Sequence, residues 1–70
     1  MGWWKTVSGS IIGDSAADYV TTFCKHGIAW TEASELPRDI REHLDALYVE
    51  GIGRPATDGE LTELLDFAGG

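Results

Sequence analysis

The sequence predicts a single small α+β domain: an N-terminal β-hairpin, with a third short strand available to it, packed on three α-helices. Three observations predict it. Residues 3–12 are aromatic and β-branched on either side of Ser8-Gly9-Ser10, which is hairpin chemistry. Three later segments repeat apolar residues at helical spacing and each runs into glycine. Finally, 70 residues at 43% apolar and 24% charged can bury one core and no more.

In the hairpin, alternation puts Trp3, Lys5 and Val7 on one face and Trp4 and Thr6 on the other, with Ile11-Ile12 as the return strand. Two strands alone are marginal in water, so the hairpin must pack on helices or pair with a further strand. Asp14 or Ser15 is placed to cap the first helix, with Asp18 completing a short capping box. Ala16, Val20, Phe23 and Cys24 form its buried stripe. Gly27 is placed to end it in a left-handed cap, with Ile28 returning onto Phe23. Residues 28–31 suit either a short third strand or an apolar connection, and the hairpin's marginality favours the strand.

The second helix starts at Ser34 or Leu36, with Pro37 in its first turn. Ile40, Leu44 and Leu47 form its stripe, and Tyr48 lies at the edge. Arg38–Glu42 and Arg41–Asp45 are spaced to pair on its outer side. Gly51 is the expected stop, with Ile52 placed against Leu47. Thr57-Asp58-Gly59-Glu60 is a full capping box for the third helix, whose stripe is Leu61, Leu64, Leu65 and Ala68.

The charge narrows the function. Twelve Asp and Glu against five Lys and Arg give −7 and an isoelectric point near 4.4. Phosphate backbones and anionic membranes select for the opposite sign, so direct nucleic-acid or membrane binding is not expected. A protein with a basic face would be attracted, most strongly at low salt. A single cysteine rules out an internal disulfide framework and a cysteine-built zinc site. With no long apolar run and no secretory leader pattern, the expected compartment is the cytoplasm.

No catalytic constellation can be assembled. Cys24 and His26 point about 200° apart on a helix, so the imidazole cannot activate the thiol. His43 has no metal-spaced companion, and Asp14 and Asp18 are accounted for by the helix N-terminus. No enzyme activity, cofactor or metal is expected. Residues 1–6 match the loose N-myristoylation pattern, but paired tryptophans after Gly2 suit a strand better.

The informative residues are apolar ones off the core stripes. Tyr19 lies about 100° from the centre of the first stripe. Val49 falls opposite Ile40 and Leu47, Phe67 sits off the third stripe, and Trp3 and Trp4 cannot both face one side of the hairpin. Aromatic anchors rimmed by charge are what protein interfaces use. The sequence therefore points to a non-catalytic protein-binding module: a small acidic adaptor, inhibitor or regulatory subunit. Trp3, Trp4, Tyr19, Val49 and Phe67 are its expected anchors, and Glu42, Asp45, Glu63 and Asp66 the rim that steers a basic partner. Self-association through the hairpin edge, giving a homodimer, is compatible with that role.

Two other functions fit parts of the chain. Gly69-Gly70 resembles the C-terminal diglycine of ubiquitin-like modifiers and sulfur-carrier proteins, and the hairpin followed by a helix resembles the first half of their β-grasp fold. That resemblance implies a carrier activated at its last glycine by adenylation. In that family a strand precedes the tail, whereas residues 61–68 are helical in pattern. Alternatively, carboxylates gathered on one face would mimic DNA and block a nucleic-acid-binding protein.

Overall fold

The computed structural model describes residues 2–69, and the α+β architecture is as expected. Strands β1 (Trp3–Lys5) and β2 (Ile11–Gly13) form an antiparallel pair, followed by α1 (Asp14–Lys25), a 3-10 turn (Ala33–Glu35), α2 (Arg38–Ile52) and α3 (Asp58–Gly69). The terminal residue Gly70 lies outside the described part.

The hairpin turn is tighter and longer than alternation suggests. Gly9 N–H donates to the Thr6 carbonyl at 2.9 Å, and Thr6 N–H to Ser10 at 2.7 Å. Gly9, at φ 90°, takes the left-handed position that such a turn requires. Val7 is therefore a turn residue in open solvent and does not share a strand face with Trp3 and Lys5.

Helix α1 leaves β2 with no connection at all, so there is no room for the expected side-chain cap. Gly13 is the extended N-cap residue, Asp14 and Ser15 are already helical, and no side chain caps the helix. The hairpin does that work: Asp14 N–H donates to the Gly2 carbonyl at 2.7 Å, and the Asp14 carboxylate accepts from Gly2 N–H at 3.2 Å. The C-terminus follows expectation. Gly27 at φ 85° donates to Cys24, and Ile28 donates to Phe23, both at 3.0 Å, which is the Schellman arrangement.

Residues 28–31 form no strand; among the described residues the sheet has two strands only. They are a connection fixed by side chains. The Glu35 carboxylate accepts from the Thr31 amide at 2.6 Å and from its hydroxyl at 3.0 Å, which lowers the Glu35 pKa. The 3-10 turn is pinned to α3, where Thr62 Oγ1 accepts from Ala33 N–H at 3.1 Å. Pro37 is the N-cap of α2, one residue earlier than the first-turn position expected of it.

Helix α2 corrects the sequence reading in two places. It runs through Gly51 and stops at Gly53, which has φ 81° and donates to Val49. Tyr48 is the centre of the buried stripe together with Leu44, both at 0% exposure, whereas Ile40 and Leu47 are only half-buried. Both deviations have one cause, Trp3. Its indole packs edge-on to the Tyr48 ring, with centroids 5.0 Å apart, and lies across Gly13 and Gly51. Gly51 is needed as a smooth place on the helix rather than as its end.

The core consists of Ile12, Ala16, Ala17, Val20, Leu44, Tyr48, Leu61, Leu64 and Leu65, joined by Ala33 and Ala56. Helix α1 packs chiefly on α3, and β2 rests on both. The expected box at the start of α3 is present. Glu60 N–H donates to Thr57 Oγ1 at 3.1 Å and Thr57 N–H to Glu60 Oε1 at 2.9 Å. Glu60 does more than cap, because it is itself buried and takes both arms of the Arg54 guanidinium at 2.8 Å.

Candidate functional site

The nine residues singled out by sequence do not form one patch. The hairpin pleat sends Trp3 and Trp4 to opposite faces, as expected, and each finds a partner. Trp3 is committed to Tyr48, Gly13 and Gly51 and holds the hairpin on α2. Its half-buried indole serves the fold. Trp4, on the Ile12 side, meets Phe67 near the end of α3, with ring centroids 5.4 Å apart and planes at 69°.

Phe67 remains 54% exposed despite this contact. Glu63 and Asp66 lie on the same helix, one turn and one residue before it, and neither forms an ion pair among the described residues. Trp4 and Phe67 are thus in contact, with Glu63 and Asp66 next to Phe67 along the helix. Trp30 lies on the other flank of the same helix end, where Ala29, Trp30, Thr31, Leu65, Asp66 and Gly69 line a shallow cleft of about 200 Å³. That volume is below the usual few hundred cubic ångströms of a small-molecule site.

Tyr19 belongs to a separate aromatic row. Its ring is edge-on to Phe23 at 5.1 Å and tilted over His43 at 4.1 Å, and Phe23 meets Trp30 at 5.4 Å. The Tyr19–Phe23 pair follows from i,i+4 spacing. Trp30, which the sequence placed only as a strand or connector, joins the row through the fold, and no local signal announces it.

Val49 stands on the outer side of α2 at 47% exposure. The α2 carboxylates are locally engaged. Glu42 meets Arg38 at 3.5 Å and Asp45 meets Arg41 at 3.9 Å, while Arg41 also reaches Asp58 at 2.7 Å. The spaced pairs are thus present, and of the four expected rim carboxylates they leave Glu63 and Asp66 without an ion pair among the described residues. The second oxygen of Asp45 is shut from solvent without a protein partner.

The titrating groups that depart furthest from ordinary behaviour are structural. The Arg54 bond holds the Glu60 carboxyl down to about 2 against the opposing effect of burial. Burial, and then the Glu60 charge, push the Tyr48 hydroxyl up to about 12. That hydroxyl donates to the Ile11 carbonyl at 2.7 Å, so the network ties hairpin, α2 and α3 together. Cys24 is a half-buried free thiol. No group of three metal-ligating side chains occurs among the described residues, and none of their helices is long and apolar enough to cross a membrane.

Helix α3 continues through Gly69, so the first glycine of the terminal pair is helical rather than part of an extended tail. No protein family, curated protein or solved structure matches the chain.

Proposed function

We propose that the protein is a non-catalytic binding module for a protein with a basic face. One observation carries this reading: an exposed phenylalanine, Phe67, stands edge-on to Trp4 beside the unpaired carboxylates of Glu63 and Asp66. An aromatic anchor of this kind supplies contact area, and the adjacent charge supplies orientation and encounter rate. The net charge of −7 extends that attraction beyond the patch. Such a module acts as an adaptor, inhibitor or regulatory subunit.

Co-purification at low salt tests the reading, with wild type, Phe67→Asp and Val49→Asp compared side by side. Phe67→Asp should lose the companion protein that wild type retains while its circular dichroism and melting temperature are kept. Val49→Asp, on a different helix face, should retain it. If Phe67→Asp retains the companion fully, the anchor has been misplaced and the proposed site fails.

A further inference from the structure

The two edges of the hairpin are finished differently. Antiparallel pairing alternates residues whose N–H and C=O face the partner strand with residues whose groups face away. Thr6 donates to Ser10 and Asp14 donates to Gly2, both at 2.7 Å, so positions 2, 4 and 6 face β2 while Trp3 and Lys5 face outward. On β2 the outward residues are Ile11 and Gly13. The Ile11 carbonyl accepts the Tyr48 hydroxyl, and its amide is among the groups that hold the Glu60 carboxyl down. Gly13 passes straight into α1. The β2 edge is closed, whereas among the described residues no side chain or loop bonds the outward groups of Trp3 and Lys5.

Charge distinguishes the occupants of that open edge. Every one of the twelve carboxylates lies at Asp14 or later, and residues 2–13 carry Lys5 and no acid. A second copy approaching the helices meets an excess of like charge, whereas β1 itself brings only Lys5. A basic strand would set its cations against Lys5.

We propose that two copies of the chain pair along β1, antiparallel about a two-fold axis at Trp4, to make one four-stranded sheet. In this register Trp3 lies opposite Lys5 of the second copy, and their outward amides and carbonyls exchange hydrogen bonds on both sides of the axis. Each ammonium then faces an indole rather than another charge. Trp4 meets its counterpart as the close, non-hydrogen-bonded pair, on the side where Phe67 already lies against it. The exposed flank of Phe67 gains cover, and two Trp4–Phe67 pairs stand side by side. The pairing draws on the same flank of Phe67 as the partner-binding reading, but it is tested on the purified chain alone, so the two fail separately.

Sedimentation of the purified protein from micromolar to millimolar concentration should show the mass rising from 7.6 kDa toward twice that value. Hydrogen exchange on the same samples should show the Trp3 and Lys5 amides becoming protected as the mass rises. The Trp4 amide, already facing Ile12, should stay as it was. Lys5→Pro removes an outward N–H that the hairpin does not use and should leave a folded monomer. A single-chain mass at every concentration overturns the proposal, and so does a dimer whose Trp3 and Lys5 amides exchange freely. Should Lys5→Pro fail to fold, exchange on the wild-type protein decides alone.

Discussion

Replacing Gly51 with alanine should destabilise this protein, although the same change in an ordinary helix does the opposite. Glycine inside a helix costs about 1 kcal/mol relative to alanine, so Gly51→Ala would normally raise stability by up to that amount. Here an added Cβ would fall within the Trp3 indole, which lies across the helix at that point. Trp3 has little room to slide toward the sheet, because the far side of its ring already lies close against Gly13, where an added Cβ would stand only 2.7 Å away. Overpacking at such a contact costs about 1–3 kcal/mol. Set against the helical gain, the net loss should reach about 2 kcal/mol, or up to roughly 8–16 °C in melting temperature for a domain of this size.

Urea unfolding followed by tryptophan fluorescence measures it. Two companions sharpen the result. Gly59→Ala, whose new methyl would meet nothing closer than Thr57 Oγ1 at 3.9 Å, should be neutral or stabilising. In a Trp3→Ala background, Gly51→Ala should change sign and become stabilising, which isolates the pair as a coupled unit. If Gly51→Ala alone matches or exceeds wild-type stability, Trp3 does not hold the hairpin to α2 in the way described.

The remaining predictions concern the polar network and the helix ends. Glu60 has a folded pKa near 2 against an ordinary 4.5, so its contribution is complete above about pH 4.5 and is lost as pH falls toward 2. The shift sets a ceiling of about 3 kcal/mol, which the half-exposed Arg54 guanidinium reduces to about 2. Acid unfolding of Glu60→Gln should show a correspondingly shallower slope across that window. Tyr48 acts at the other extreme: its pKa is raised from 10 to about 12, so stability should fall as pH rises through that interval, and Tyr48→Phe should remove the dependence. Thr57→Ala should cost about 1 kcal/mol through loss of the α3 cap, read from chemical denaturation. Gly53→Ala should cost about 1–2 kcal/mol, because φ is 81° there and no clash is involved.

What the sequence revealed was decided by local rules, and what it concealed was decided by the hairpin. The Schellman end at Gly27 and the capping box at Thr57 each involve residues within one turn, and both stand as expected. The α2 stop failed because glycine has two uses. At Gly51 the missing side chain makes room for an indole from residue 3, while Gly53 supplies the left-handed φ that ends the helix. Tyr48 moved from the edge of the stripe to its centre for the same reason, together with a hydroxyl partner on Ile11. The α1 cap was misassigned because the strand flows directly into the helix and hairpin backbone replaces a side chain. At the site, the exposure of Phe67 and Val49 followed from helical phase alone. Which carboxylates remain unengaged, and that Tyr19 joins Trp30 rather than Trp4, depended on long-range packing that spacing does not encode.

Native mass spectrometry of the protein drawn gently from its own cells at low ionic strength would reveal a bound partner by its mass. A binding module steered by carboxylates should appear in a heavier complex with a second, basic-faced protein, and that complex should dissociate progressively as salt is raised. A chain found only alone or paired with itself, at every salt concentration, would contradict the claim.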